Sequence, residues 1–417
     1  MDMKIRRVLV NFSVICRVFL IIAGIVVFTA CGNKAEKNDN IKTIAEEQQQ
    51  DKLLRIDVES IVENVQDVNL SDIASDIEYI PLELKGDKYL KKCVKVEFTE
   101  SYIFVCDYEK LFQFTRDGKF IRQVGCIGRG PGEYTGAIEF AANEVADLIM
   151  LQCDYGFYRY DMFGNFKGDI KGLRTLCYII KDDKEVAYYK KSHINQLENL
   201  VVADLDMNSL HSFRNNSPRP ETKSVFGIAP LYTFNNSLFF KEHYNDTVFE
   251  VQEDRLIPHM LLNESSLLFP KDFELKGGGG VASLIKQMNK VKNKINPHHM
   301  FESTNEVLIS YIRGINPREQ TRINILFDKR SKQGVVLKDG HFINDIDGGD
   351  NFWPNKLYKD TLMIKGVEAL KLMAYVASDA FKNSTPKYPE KKKALEKLAN
   401  GLSENDNPVL MLVRLRE

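Results

Sequence analysis

The feature that most constrains this chain is the stretch Glu109–Tyr134, EKLFQFTRDGKFIRQVGCIGRGPGEY. It reads as an alternating strand, an Asp117-Gly118 turn, a second strand and a glycine-rich loop. Asp-Gly between apolar alternations is a strong hairpin signal, because glycine reaches positive φ without a Cβ clash. The hairpin recurs. FYRYDMFGNF at Phe157–Phe166 overlays LFQFTRDGKF at Leu111–Phe120, with turn glycines Gly118 and Gly164 lying 46 residues apart. Weaker copies lie at Val201–Phe213, with Asp206–Ser209 at the turn, at Thr247–Ile257, and at Ile323–Val336. A period of about 45 residues with about four strands per period is the signature of a β-propeller blade.

The strands around the first hairpin fit that unit. Val94–Phe98, Tyr102–Cys106, Leu111–Phe114 and Phe120–Val124 make a four-strand meander, preceded by Ile77–Leu84. The fold expected is all-β: a six-bladed β-propeller over residues 53–417, with four-stranded antiparallel blades and a few helical insertions. Helical spacing appears from Val281 to Ile295, from Val367 to Ala374 and from Pro389 to Asn400. The last strand, Val409–Leu415, is apolar on both faces at its start, so it must pair with something. In a closed ring its partner is the first blade.

The N-terminus has its own logic. Lys4, Arg6 and Arg7 precede an apolar run that is cleanest from Val18 to Phe28 and ends in Thr29-Ala30-Cys31. This reads as a secretory signal over residues 1–30. Cys directly after the small residue resembles a bacterial lipobox, which makes Cys31 the lipidation site. The other reading is an uncleaved transmembrane anchor, for which the clean run is short. Residues 31–52 are polar, with three successive Gln, and read as a tether. Gly32, where an inner-membrane retention signal would place Asp, favours the outer membrane. The membrane is thus one partner, through the lipid.

Charge and cysteine count narrow the functions. The net charge of −1 argues against a dedicated nucleic-acid binder, and a monomer is expected. Without Cys16 and Cys31, the five remaining cysteines cannot all pair within one chain. They read as small core residues, with a Cys93–Cys106 cross-strand bond open. No G-x-S-x-G elbow or H-E-x-x-H motif occurs. His298-His299 are adjacent, which should send their side chains apart. No cofactor is implied.

Four motifs in order carry a resemblance: GRGPGEY at Gly128–Tyr134, YNDTVFEV at Tyr244–Val251, FINDIDGGDNFWP at Phe342–Pro354 and ENDNPVLMLV at Glu404–Val413. Together they resemble the 6-bladed β-propeller lipoproteins of Gram-negative gut bacteria, which are similar to NHL-repeat propellers. The resemblance implies a cell-envelope propeller and no particular chemistry. The residues add candidates. Arg129 at a loop tip suits a carboxylate or phosphate, with Glu133 and Tyr134 beside it, although pinning of the loop explains those two more simply. Asp345, Asp347 and Asp350 form a carboxylate cluster without EF-hand spacing, so turn capping is favoured over a metal. Trp353, the only tryptophan, suits either a sugar platform or the core. The function expected is a binding or scaffold module for a glycan, peptide or envelope protein. The alternative is a hydrolase or lyase acting on carbohydrate at a central channel, using two carboxylates.

Overall fold

In the computed structural model the described residues are 53–90, 93, 95–136, 139–153, 156–190, 198–214, 231–242, 245–270, 273, 275–276 and 278–417. The signal, Cys31 and the tether lie outside them. Residues from Arg55 onward form one unit.

The unit is mostly strand, gathered into many small sheets. Six sheets of four or five strands follow one another along the chain, beside a two-stranded ribbon. The first comprises Lys95–Phe98, Tyr102–Cys106, Leu111–Thr115 and Phe120–Val124, in that order and antiparallel. The second runs from Glu139–Asn143 to Phe166–Lys171, and the third from Thr175–Ile180 to Ser209–Arg214. The fourth starts at Leu231–Phe234 and the fifth at Ile295–Glu302. The sixth is assembled from both ends of the unit: Lys356–Tyr358, Leu362–Val367, the terminal Val409–Leu415, then Ala74–Pro81 from its beginning.

The five sequence repeats all fall on the third-to-fourth-strand hairpin of the first five sheets. The turn explains the spacing. Gly118 and Gly164 sit at φ +86° and +82°, where their N–H groups donate to Thr115 and Asp161. Met207 occupies the equivalent slot of the third repeat at φ +65°, which is why that copy is hard to see without a glycine. The terminal strand pairs with Leu362–Val367 on one side and Ala74–Pro81 on the other, Leu410 facing Gly366 and Ile80.

Each sheet is buried on both faces. In the second strand of the first sheet, Phe104 packs toward the second sheet with Phe140 and Leu151, while Ile103 and Val105 pack toward the sixth with Ile364, Leu410 and Leu412. Successive sheets therefore stack face to face, and their middle strands read as unbroken apolar runs rather than alternations. First strands adjoin from the first sheet through the fifth, and the sixth adjoins the first. Their far ends also meet, since Glu144 accepts from Ser101 and Lys359 pairs with Glu100. The neighbouring first strands concerned thus run the same way.

The helices depart in part from expectation. Gly280–Asn289 ends six residues before Ile295, which instead opens the first strand of the fifth sheet. Of its apolar positions, Val281 and Ile285 are exposed, so the helical periodicity marks a surface stripe. Ala369–Ala377 and Pro389–Asn400 do pack on the sixth sheet, through Leu372, Val376, Leu395 and Ala399. Among the described residues, no helix is long and apolar enough to cross a membrane.

Candidate functional site

The sequence candidates separate in space. In the Gly128–Tyr134 loop, Cys126–Ile127 and Glu133–Tyr134 form a small parallel ribbon. Glu133 Oε2 accepts from Gly130 N at 2.7 Å, and the Gly130 and Arg129 amides hold its carboxyl below the usual range. Tyr134 is fully buried; its hydroxyl donates to Val124 O and accepts from Leu111 N. The loop is pinned from within, and of its three candidate residues only Arg129 is exposed.

The three aspartates of Phe342–Pro354 go three ways. Asp345 accepts from Ser71 N and Oγ at 2.9 and 2.6 Å and pairs with Lys387 at 3.1 Å. Burial opposes its charge, but those bonds outweigh it and lower its pKa. Asp350 pairs with Lys365 at 3.0 Å. Asp347 is fully buried, and its Oδ1 accepts from Asn344 Nδ2 and Gly349 N. Burial raises its pKa. The Tyr79 hydroxyl lies beside this carboxyl without a well-formed hydrogen bond to it. Trp353 is buried and stacks on Phe342 at 6.0 Å.

What the fold brings together is a set of charges on the first strands. Lys356 of the sixth sheet donates to Glu97 of the first at 2.7 and 2.9 Å. Lys95, two residues before Glu97 on the same strand, lies 3.7 Å from Glu97 and contacts Glu139 of the second sheet. Lys356–Glu97–Lys95–Glu139 is thus one chain of charges across three sheets. Lys95 has its pKa lowered to about 8, by burial first and then by Lys356, with Glu97 pulling the other way. Yet its side chain keeps 27% of its surface. Its ammonium is therefore crowded by neighbouring sheets without being sealed from solvent.

Groups on other sheets also feel Lys95: the Cys177 thiol on the third, pushed by burial up to about 12, and His299 on the fifth, held down to about 3 by burial and then by His298, Arg322 and Lys95. The His298 and His299 rings do not diverge. Their centroids are 4.0 Å apart, because a register shift between Pro297 and His299 breaks strand alternation there. Burial and the neighbouring cations push both rings toward the neutral form.

At the other end of the first strands the structure is tight. Asn235, just after the first strand of the fourth sheet, donates its N–H to Asp360, just after that of the sixth, at 2.7 Å. Glu302 there is buried and gathers Tyr232 Oη, His259 Nε2 and Lys329 Nζ at 2.7–3.0 Å. The strand starts carry the Lys356–Glu97–Lys95–Glu139 charges instead. Sequence reasoning missed Lys95, Glu97, Glu139 and Lys356. The signal present was Lys-Val-Glu-Phe at Lys95–Phe98: charges alternating with apolar residues in a strand whose neighbours are buried on both faces.

Comparison with known proteins assigns the class. The model of a family described as a domain of unknown function (DUF4934) matches residues 53–414, and the chain belongs to that family. No curated protein matches. Among solved structures, a Bacteroides fragilis protein described as exported is similar with TM-score 0.64 and 16% identity, covering 88% of this chain and 99% of its own. A DUF4221-family protein from Bacteroides vulgatus gives TM-score 0.41 and 9% identity, over 82% and 97% of the two chains. A β-propeller domain from Myceliophteria thermophila gives 0.34 and 8%, over 63% and 89%. Only the first is close enough in structure to bear on this chain, and at that identity it bears on the fold alone.

Proposed function

We propose that this chain is a six-bladed, NHL-like β-propeller of four-stranded blades, lipidated at Cys31 and held at the outer membrane, that serves as a binding or scaffold module for a glycan, peptide or envelope partner. Six consecutive sheets, first strands that adjoin from sixth to first, and a terminal strand joined to the beginning support the ring. The N-terminal signal and Cys31 carry the extracytoplasmic setting.

The observation that carries the binding role is the charge chain Lys356–Glu97–Lys95–Glu139. It offers ammonium donors and carboxylate acceptors at fixed positions where three sheets meet, as recognition of a polar partner needs. Each carboxylate already has a lysine partner, so the arrangement is that of a preset polar surface. The test is capture of glycans and envelope fractions by the purified protein, with Lys95→Ala/Lys356→Ala as the variant. Capture that is lost in the variant supports the role. Turnover of a polysaccharide with no lasting complex would sink it. For the anchor, Cys31→Ala should move the protein to the soluble fraction; retention at wild-type levels refutes lipidation.

One observation favours the hydrolase reading. Glu97 and Glu139 both contact the Lys95 ammonium, so their carboxyls are neighbours, as a two-carboxylate glycosidase site needs. Glu97→Gln and Glu139→Gln decide it. If no polysaccharide is cleaved by the wild type, or cleavage survives both changes, that reading fails.

A further inference from the structure

Away from the first strands, a cavity of about 390 Å³ opens at one end of the outer two strands of the second sheet. Its wall is built from the hairpin Gly156–Tyr160 and Phe166–Lys171, plus the link Gly172–Arg174 to the third sheet. Register explains the hollow. Tyr158 stands opposite Asp169, so the two share a face, and Lys171 on that same face stands opposite Gly156. Gly156 has no side chain to fill the place, and a Cβ there would strike the Ile170 carbonyl at its φ of +144°. The gap beside Lys171 is therefore fixed by the backbone.

The lining has a definite chemistry. Tyr158 is half-buried and sits at 6.3 Å from Phe166, which continues the aromatic surface to Tyr160 at 5.7 Å. Lys171 and Arg174 are exposed at the rim. Asp169 is 3.6 Å from Lys171 and offsets one of the two cations. Among the described residues Arg174 makes no ion pair, which leaves a planar guanidinium for a carboxylate. The glycine loop leans on the same strip, since Gly132 packs against Phe166 and accepts from Tyr160 Oη at 3.0 Å. An aromatic face, an uncommitted guanidinium and a fixed hollow of this volume fit a ring that carries an acid. A pyranose packs its C–H face on an aromatic ring, and a uronic acid adds one carboxylate at the ring's edge. The volume is within the range of small-ligand sites.

We propose that the cleft at Tyr158, Lys171 and Arg174 is a binding site for a uronic-acid unit of an acidic oligosaccharide. It is separate from the Lys95–Glu97 cluster and names a ligand class for a second surface. Calorimetric titration of the full-length protein tests it, with disaccharides of galacturonate, glucuronate and mannuronate, and cellobiose as the neutral arm. At least one uronate should bind and cellobiose should not. Arg174→Ala should raise Kd at least tenfold. Arg174→Lys should recover only part of that, because a bidentate contact is lost. Tyr158→Ala should weaken binding while Tyr158→Phe keeps it. Three results overturn the site: equal binding of cellobiose, no binding of any uronate, or a change below twofold in Arg174→Ala. Capture of an envelope partner through Lys95 and Lys356 is read separately, so the site can fail while the binding-module role stands.

Discussion

Closure by the terminal strand is the arrangement most open to measurement. Leu410 is fully buried and joins the core between the sixth and first sheets, with Val96, Phe98, Ile103 and Ile364. Met411, next to it, points the other way into the core under the C-terminal helices, with Leu372 and Leu395. Truncating either buried side chain to Ala costs about 2–5 kcal/mol, the lost transfer energy plus the cavity left behind. The two sites sit on opposite faces of one strand in separate cores, so the double variant should cost more than either alone, up to about 10 kcal/mol, with any shortfall reporting coupling through their shared backbone. That is comparable with the whole stability of an ordinary domain, about 5–15 kcal/mol. Urea unfolding of Leu410→Ala, Met411→Ala and the double variant, followed by circular dichroism and tryptophan fluorescence, reads this out. Trp353 lies in the same core as Met411, so fluorescence watches the closure directly. The exposed Leu370→Ala on a neighbouring helix is the control and should cost under about 1 kcal/mol. If the strand closes the structure, both probes coincide and the m-value is unchanged. The reasoning is refuted if the double variant loses less than about 2 kcal/mol, or if fluorescence reports an early separate step while circular dichroism does not move.

Other predictions follow from buried charges and turns. Lys241 and Glu264 are both buried, 2.8 Å apart at an angle that makes an ion pair rather than a hydrogen bond, and Tyr311 Oη donates to Glu264. Lys241→Met should cost about 3–5 kcal/mol by stranding the carboxylate, and Lys241→Met/Glu264→Leu should regain most of it. A double variant as unstable as the sum of its parts would contradict this. Asp347 has a folded pKa raised by burial above 3.8, so the folded state binds its proton more tightly than the unfolded state does, and stability falls as pH rises through the folded value. Asp347→Asn should therefore stabilise at pH 7, with the gain fading at and below pH 3.8; thermal melts at both ends of that range check the sign. Gly118→Ala should cost about 1–3 kcal/mol, because φ of +86° strains any side chain and a Cβ would meet the Pro81 carbonyl. Denaturant unfolding indistinguishable from wild type would show the turn tolerates it.

The recurring hairpin was legible from the sequence because everything that makes it is local: an Asp-Gly or Gly-Asn turn and flanking alternation within about ten residues. The terminal strand was legible for a related reason, since a run apolar on both faces has to be covered. Helix ends were less so. Ile295 continued the helical period, yet it opens a strand, because pairing with Arg313 across the fifth sheet outweighs a periodicity that buries nothing in the helix itself. The histidine pair was misjudged because adjacency implies divergence only in a regular strand, and the bulge at Pro297 is not visible in residue types.

The candidate site was hidden for a different reason. Loops that look functional in sequence, such as Gly128–Tyr134, owe their glycines and acids to their own geometry; Glu133 bonds the Gly130 amide three residues away. The residues that meet on the first strands come from far apart. Lys356 and Glu97 are 259 positions apart, and nothing local records that one sheet will stand beside the other.

By itself, the sequence determined the unit, its period and the mostly-β class, all carried by neighbouring residues and backbone preference. Tertiary structure alone decided which charges meet across the first strands, that Tyr134, Asp347 and Trp353 are buried, and that Gly156 leaves a hollow beside Lys171. Those depend on the order and register of stacked sheets, which long-range packing sets and no short stretch of chain encodes.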